Sequence, residues 1–386
     1  MSPGSDPHLE TALRWLEDQR PAMTALLEEL VQQNSYTGNP AGVAAVARTV
    51  GEELRRLGLQ TERLDSQRFG PHLAFSGRAA GRPVFLIGHT DTVFPPDGFQ
   101  GFRVDGDLAR GPGVFDMKGG LVVGLFALEA LLVGRILGRL PLRGMFVADE
   151  EVGSPESAPL LAERARGATC ALGLESGRKG DLVVTARKGV GALKVEARGV
   201  AAHAGNEHER GKNAIWSLAR FVDAAQGLTD YARGSTVNVG RFEGGTSKNT
   251  VPDRATAQVD LRYLGAPEGE ALFARLQELA REVAVPGTRI DVTRGASRPP
   301  LERTAASAAL AAEYGECQQA SGLASGEAPL VGGGSDANTT GAVGVPSIDG
   351  LGPRGAAFHT PEERIELASL VPKAAALVRF LARRAH

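Results

Sequence analysis

Apolar residues along this chain alternate between helical spacing and short continuous runs. From residue 8 to residue 57 they recur at helical spacing, interrupted by Pro21 and by a turn at residues 37–40, which predicts three helices. Beyond these helices, continuous strand-like runs alternate with helical stretches at residues 84–87, 120–137, 143–148, 171–174, 345–348 and 367–384. Apolar strands separated by helices are typical of a buried sheet covered on both faces. The pattern predicts an α/β domain with a mixed, mostly parallel sheet.

The pattern changes between residues 188 and 298. Here the predicted order is β-α-β-β-α-β, with strands and helices at residues 190–196, 213–225, 236–242, 256–263, 268–283 and 289–293. That order predicts a small α+β sandwich of the ferredoxin-like type. We therefore expect residues 1–187 and 299–386 to form the larger domain, and residues 188–298 to form a domain inserted into it.

Charge and composition narrow the choice of partner. The formal net charge is −2 and the pI is near 6.4, so no basic face for nucleic acid or for an anionic membrane is indicated. Cys170 and Cys317 are far apart and in no C-x-x-C pair, which favours a reducing compartment. Residues 1–6 do not open a signal peptide, and no apolar run reaches the roughly 18 residues of a membrane span. These features predict a cytoplasmic protein that acts on a small molecule.

Acidic and histidine residues follow the predicted strands closely. His89 and Asp91 come after one strand, Glu151 after the next and Glu175 after a third. In an open α/β sheet, ligands bind outside the carboxyl ends of the strands. The three positions therefore indicate one crevice.

Two further residues can complete this crevice. Asp116 precedes a long predicted helix, and His359 lies in a Gly-rich stretch near the C-terminus. Taken alone, Asp116 is equally well a helix N-cap and Glu150-Glu151 a solvated pair. Taken together, imidazoles with several carboxylates are the ligands expected of a hydrolytic zinc site, and their oxygen-rich balance suits a pair of ions.

Five ordered motifs carry a family resemblance. They are GHTDTV (88–93), FRVDGD (102–107), GPG (111–113), DMKGG (116–120) and DEEVGS (149–154). Together they resemble the dinuclear zinc metallopeptidases that include aminoacylase, acetylornithine deacetylase, succinyl-diaminopimelate desuccinylase and glutamate carboxypeptidase. The similarity runs from about residue 35 to the C-terminus. It is closest to the glutamate carboxypeptidases in residues 102–120 and in the GGGSDA loop (332–337), and it implies a zinc exopeptidase-like fold and a homodimer.

The resemblance also implies the metal ligands. Asp116 would bridge two Zn²⁺ ions, for which Co²⁺ or Mn²⁺ could substitute. His89 and Glu175 would complete the coordination of one ion, and Glu151 and His359 would complete the coordination of the other. No H-E-x-x-H or G-x-S-x-G motif supports a different hydrolase.

Other roles follow from the same resemblance. Glu150 would be the general base, and Asp91 would be hydrogen-bonded to a ligand histidine and orient its ring. His203 would stabilise the oxyanion in the partner subunit's site. Arg262 and Asn249 would hold the α-carboxylate of the substrate.

The predicted function is hydrolysis of an amide bond in an N-acyl amino acid or peptide, with release of a C-terminal amino acid such as glutamate. One alternative is a deacylase of N-acetyl or N-succinyl amino acids in a biosynthetic route. Another is a catalytically silent, metal-dependent binding protein. Lys118 is expected to be a helix-start residue without a catalytic role.

Overall fold

A computed structural model describes residues 6–385 of the chain. The α-helices are α1 (Pro7–Glu17), α2 (Arg20–Gln32), α3 (Pro40–Arg56), α4 (Gly119–Val133), α5 (Ser157–Ala165), α6 (Ala214–Gln226), α7 (Ala266–Val283), α8 (Ala305–Gln319), α9 (Asp336–Ala342) and α10 (Leu370–Ala382). The strands are β1 (Gln60–Leu64), β2 (His72–Ser76), β3 (Val84–His89), β4 (Arg103–Asp105), β5 (Leu108–Arg110), β6 (Leu142–Val147), β7 (Cys170–Gly173), β8 (Gly189–Arg198), β9 (Ala202–His203), β10 (Thr236–Gly244), β11 (Thr250–Val251), β12 (Arg254–Tyr263), β13 (Arg289–Arg298), β14 (Ser347–Ile348), β15 (Gly355–Ala356) and β16 (Arg364–Glu366).

The chain divides into two compact units. The described part of the larger unit comprises residues 6–186, Arg303–Val331 and residues 335–385. The smaller unit comprises Arg187–Glu302 together with Gly332–Gly334. The glycine run of the GGGSDA loop thus groups with the smaller unit, whereas the sequence-based boundaries assign it to the larger domain.

The larger unit is built on a six-stranded sheet with the order β1-β2-β6-β3-β7-β14. Strands β6, β3, β7 and β14 run parallel to one another, whereas β1 and β2 are joined antiparallel at one edge. The central strand β3 is buried along its whole length, as expected of a strand covered on both faces. The predicted α/β class with a mixed, mostly parallel sheet is confirmed.

Helix α4 is the central helix of the larger unit. Nearly every one of its 15 residues is buried, because the segment is apolar on all sides and packs against α1, α2 and α10. Gly120 permits a close approach, since a Cβ there would lie 1.8 Å from the carbonyl oxygen of Leu174. This contact brings the start of α4 next to the end of β7. Among residues 6–385, no helix is both long and apolar enough to cross a membrane.

The smaller unit is an antiparallel sheet covered by two helices. Its strand order is β10-β12-β8-β13, and α6 and α7 pack on the sheet. Alternate residues of β8 and β12 are buried, and they join α6 and α7 in one core with Phe221 and Leu276 at its centre. The six main elements fall at the predicted positions. The short pair β9 and β11 was not predicted from the sequence.

Candidate metal centre

His89 ends the central strand β3, with its side chain fully buried. Its Nδ1 lies 2.9 Å from the carbonyl oxygen of Asp91. A carbonyl oxygen can only accept, so Nδ1 carries a proton, and in the neutral ring Nε2 presents a lone pair. The ring is thereby fixed in the tautomer that can bind a cation through Nε2.

Asp116 stands between two histidines. One of its carboxylate oxygens, Oδ1, lies 3.4 Å from Nε2 of His89, and the other, Oδ2, lies 3.3 Å from Nε2 of His359. Two further acids flank these contacts. Glu175 Oε1 is 3.6 Å from Nε2 of His89, and Glu151 Oε2 is 3.3 Å from Nε2 of His359. The structure thus brings all five predicted ligands into one cluster.

The donor atoms of this cluster are suited to a cation. Nε2 of His89, Oδ1 of Asp116 and Oε1 of Glu151 are buried and have no hydrogen-bond partner among residues 6–385, although they face other polar atoms of the cluster. These three side chains each offer an atom within 4.8 Å of the others. A buried polar atom left unpaired costs about 1–3 kcal/mol, so atoms arranged in this way require a partner. Divalent cations fit this set of imidazoles and carboxylates.

The electrostatics of the cluster indicate the same requirement. The facing carboxylates of Asp116 and Glu151 raise the pKa of His359 to about 10. Burial and the charge of Asp116 raise the pKa of Glu175 well above its usual range. Burial alone would lower the pKa of His89, but Glu175 and Asp116 raise it well above its ordinary value. The crowded carboxylates therefore stabilise positive charge at this place.

Asp91 organises the loop that carries the two adjacent glutamates. Its carboxylate accepts hydrogen bonds from the backbone N–H of Glu150 (3.2 Å), from that of Glu151 (3.3 Å) and from Oγ1 of Thr37 (2.7 Å). The family resemblance implies a hydrogen bond between Asp91 and His89. The carbonyl oxygen of Asp91 makes a hydrogen bond with Nδ1 of His89, and its carboxylate lies 3.5 Å from the same atom. The N–H groups at the start of the turn at Glu150–Val152 have no carbonyl partner within the turn, and the Asp91 carboxylate supplies their acceptor.

Glu150 and Glu151 are adjacent in sequence but interact with different groups of the cluster. Glu151 lies against His359, as described above. Glu150 is half-buried, and its negative charge raises the pKa of both His89 and Glu175, so its carboxylate acts on the other half of the cluster. Glu151 thus lies against His359, whereas the charge of Glu150 affects His89 and Glu175.

Two buried charged residues near the cluster were not predicted to contribute. Glu363 accepts hydrogen bonds from the backbone N–H groups of Phe115 (2.8 Å) and Asp116 (3.1 Å), and burial raises its pKa to about 7. Lys118 is also buried. Its Nζ donates to the carbonyl oxygen of Gln33 at 2.9 Å, and burial lowers its pKa to about 7. Glu363 follows another acid in Pro361-Glu362-Glu363, a pattern that looks like solvated surface and gives no signal of burial.

His203 and Asn249 lie together in the smaller unit. Strand β9 pairs with β11, and the backbone N–H of Ala204 donates to the carbonyl oxygen of Asn249 at 2.9 Å. Nδ1 of His203 accepts from the N–H groups of Gly205 (3.2 Å) and Asn206 (3.1 Å). A neutral ring that accepts at Nδ1 carries its proton on Nε2. The exposed imidazole therefore presents a hydrogen-bond donor.

Arg262 is partly engaged within the smaller unit. Its Nε and Nη2 donate to the carboxylate of Asp260 at 2.8 and 3.0 Å, and Nη1 donates to the carbonyl oxygen of Gly332 at 3.1 Å. A guanidinium has five N–H donors, so two remain for another acceptor. The contact of Arg262 with Asp260, which lies two residues away on the same strand and faces the same side, was not predicted.

An α/β unit with paired imidazoles and carboxylates at the carboxyl ends of its strands defines a metal-dependent hydrolase. The profile of peptidase family M20/M25/M40 matches residues 85–383. The chain belongs to this family, and the predicted family resemblance is confirmed. It is an enzyme that hydrolyses an amide bond in an N-acyl amino acid or peptide with the help of metal.

Individual relatives agree with this assignment. The chain is 30% identical over 369 residues to carboxypeptidase G2 of Pseudomonas sp. (strain RS-16), covering 92% of this chain and 87% of that protein. It is 29% identical over 296 residues to succinyl-diaminopimelate desuccinylase of Dinoroseobacter shibae, covering 70% and 75% of the two chains. Among solved structures, aminopeptidase PepT of Bacillus cereus superposes with a TM-score of 0.79 at 25% identity, covering 95% of this chain and 99% of that one.

Proposed function

We propose that the protein is a dinuclear zinc carboxypeptidase that releases a C-terminal amino acid, with glutamate as the candidate product, from an N-acyl substrate. The observation that carries this proposal is the position of Asp116, whose two carboxylate oxygens face two different histidines. One ion would be held by His89, Asp116 and Glu175. The other would be held by Asp116, Glu151 and His359. Co²⁺ or Mn²⁺ could substitute, because imidazole and carboxylate ligands accept several divalent metals.

Glu150 is the proposed general base. When bound, the zinc pair supplies Lewis acidity that polarises the amide carbonyl and acidifies water. The carboxylate of Glu150 takes the proton of the attacking water and passes it to the nitrogen of the leaving amine. The carboxylate of Asp91 accepts a hydrogen bond from the backbone N–H of Glu150 and so fixes the position of the backbone that carries the proposed base.

The smaller unit supplies the groups proposed to recognise the substrate. His203 presents an N–H donor that could stabilise the oxyanion formed at the carbonyl carbon. The two remaining donors of Arg262, with Asn249, would hold the α-carboxylate of the substrate. Asp260 keeps the guanidinium in one orientation, which lowers the entropy lost on binding a carboxylate.

Phe358 favours an aromatic acyl group over a small one. This large apolar side chain is 45% exposed, and its ring centroid lies 5.2 Å from that of His359. It leans on Phe115 at 6.3 Å between centroids, so the ring has a support and a free face. Aromatic rings pair at 4.5–7 Å and gain about 0.5–1.5 kcal/mol beyond burial. A benzoyl or pteroyl group would gain from this contact, whereas an acetyl group would not.

A deacylase of N-succinyl amino acids is the second candidate. It is supported by the 29% identity to the desuccinylase of Dinoroseobacter shibae. A substrate panel separates the two: amino-acid release is measured from acetyl, succinyl, benzoyl, pteroyl and dipeptidyl glutamates, using zinc-loaded protein with and without chelator. Chelator-sensitive release from the aromatic amides supports the carboxypeptidase. Preference for the succinyl or acetyl substrates contradicts it and supports the deacylase.

We also propose that the enzyme is a homodimer formed through the smaller unit. Strand β10 lies at an edge of the sheet, where its outer N–H and C=O groups can pair with a second chain. The large apolar side chains exposed on this unit include Phe242 on β10 (41%) and Trp216 on α6 (57%). Aromatic residues are enriched in protein–protein interfaces, which supports a contact through this unit.

The proposed compartment is the cytoplasm. Cys170 and Cys317 are both buried free thiols, and burial raises the pKa of each. Buried neutral thiols are inert to oxidation and are compatible with a reducing environment. Fractionation of cells that express the full chain tests the proposal, and recovery of the protein in the periplasm or medium contradicts it.

A further inference from the structure

Glu363 is a buried acid whose carboxylate is aimed at backbone. The residue has no exposed surface, and one oxygen, Oε1, accepts from the N–H groups of both Phe115 and Asp116, at 2.8 and 3.1 Å. The other oxygen, Oε2, has no hydrogen-bond partner among residues 6–385. A buried charge is kept only where it makes specific contacts. The specific contact of Glu363 is the backbone of the proposed bridging ligand.

The segment that carries Asp116 needs such support. At Asp116 and Met117 the backbone is outside the helical region, with φ and ψ of −119° and 92° and of −132° and 33°. Its N–H groups therefore lack the carbonyl partners that a regular helix would supply. Glu363 provides the acceptor, and without it two buried N–H groups would be left unpaired.

Glu363 also belongs to the loop that carries His359. This loop is held in an unusual shape, because Ala357 and His359 both have left-handed backbone, with φ of 62° and 63°. Residues other than glycine adopt this region where the surrounding structure holds them there. Hydrogen bonds from Thr360 N–H to Ala357 and from Glu363 N–H to Thr360 continue the turn to Glu363. One carboxylate thus joins the loop of one ligand to the segment of another.

We propose that Glu363 is a positioning residue that sets the separation of Asp116 and His359 and thereby the affinity of the metal pair. The proposal rests on the dinuclear function proposed above. Its basis is the acceptor geometry: Oε1 fixes the backbone of Asp116 while its own loop fixes His359, and the two ligands meet at 3.3 Å. Because Asp116 is shared, both ions should bind more weakly when this link is lost.

Two variants separate the acceptor from the charge. Glu363→Ala removes the acceptor, and we expect zinc affinity to fall by roughly 10- to 100-fold, the usual effect of losing a partner behind a metal ligand. Glu363→Gln keeps an oxygen that can accept both N–H groups, so its affinity should stay within about threefold of wild type. Glu362→Ala is the matched control, since its side chain is exposed, and it should bind like wild type.

Zinc affinity and stoichiometry are measured by competition with a chromophoric chelator. The ligand-field spectrum of the cobalt-substituted protein reports coordination independently of activity. If Glu363→Ala fails to fold, Glu363→Asp replaces it, because the shorter side chain withdraws the oxygen from the two N–H groups. Wild-type affinity in the Ala or Asp variant overturns the proposal, as does a Gln variant as weak as Ala. Wild-type protein that binds no zinc would instead contradict the dinuclear function itself.

Discussion

Glu150 and Glu151 are adjacent in sequence but have different expected roles, which a pair of matched substitutions can separate. Glu150→Gln should leave zinc content near wild type and lower the rate by roughly 10²–10⁴-fold, because only proton transfer is lost. Glu151→Gln removes a carboxylate that lies 3.3 Å from His359 and should lower zinc content as well. Turnover and bound zinc are measured on the same preparations. Unaltered turnover in Glu150→Gln would exclude it as the base.

Phe358 gives a residue-scale test of acyl preference. Phe358→Ala should raise KM for benzoyl-glutamate by about 3- to 10-fold, because an aromatic contact worth roughly 0.5–1.5 kcal/mol is lost. KM for acetyl-glutamate should change little. Tyr231→Ala, at an exposed aromatic residue of the smaller unit, serves as the control and should alter neither value. Equal changes for both substrates would mean that Phe358 contributes to the site without selecting the acyl group.

The ligand residues that can be predicted from the sequence are those whose side-chain type is unusual for their position. His89, Asp116 and His359 are visible because histidines are few and because each lies beside a strand end, a helix start or a Gly-rich turn. The role of Glu363 cannot be predicted from the sequence, because two adjacent glutamates in a polar loop are typical of solvated surface. Only the fold brings Glu363 to the N–H of Asp116, which is 247 residues away in the chain. Contacts between distant backbone and side chain have no local pattern to reveal them.

At the scale of elements, the approach of helix α4 to strand β7 determines where Asp116 and Glu175 meet. Gly120→Ala would place a Cβ 1.8 Å from the carbonyl oxygen of Leu174, and overpacking of this kind typically costs about 1–3 kcal/mol. We expect a lower thermal midpoint and weaker zinc binding. Gly138→Ala, with no atom within 4 Å of the added Cβ, is the control. A stable Gly120→Ala variant with normal zinc affinity would show that the helix can shift without disturbing the site.

The elements differ in how well the sequence predicts them. Strand β3 and helix α4 are long, apolar and buried, so their patterns decide their type. Strand β1 has mostly exposed residues, and β15 has two residues, so neither carries a clear period. Strand β15 exists because it pairs with β16, next to β5. Such strands depend on tertiary pairing, which single-sequence patterns do not contain.

For the whole molecule, the crowded acids predict that metal contributes to stability. Without a cation, the carboxylates of Asp116, Glu151 and Glu175 are crowded in a buried site, which raises the pKa of Glu151 and Glu175 and disfavours their charged forms. Free zinc at 100 times Kd would stabilise the folded state by about 2.7 kcal/mol per site. Chelation should therefore lower the calorimetric midpoint of wild type, by roughly 5 °C or more. Asp116→Asn, which weakens both sites, should respond much less. A wild-type calorimetric midpoint that does not change when chelator is added would contradict a contribution of metal to stability.

In the proposed homodimer, His203 of each subunit is expected to act in the site of the partner subunit. His203→Ala and Glu150→Gln homodimers should each be nearly inactive, because one lacks the oxyanion donor and the other the base. In a hybrid dimer, one site has an intact Glu150 and receives His203 from the other subunit. Mixed subunits should therefore recover up to about half of the wild-type activity per hybrid, since one of its two sites is complete.

Differently tagged subunits and two-step affinity purification establish that hybrids have formed before activity is measured. A mixture of Glu150→Gln subunits with Glu151→Gln subunits is the control. Both residues lie in the larger unit. Each site of such a hybrid therefore lacks one residue of its own subunit, and neither site is complete. Confirmed hybrids without recovery would assign His203 to its own subunit or to no catalytic role. Recovery in the His203 mixture alone would require that the partner's imidazole reaches the reacting carbonyl.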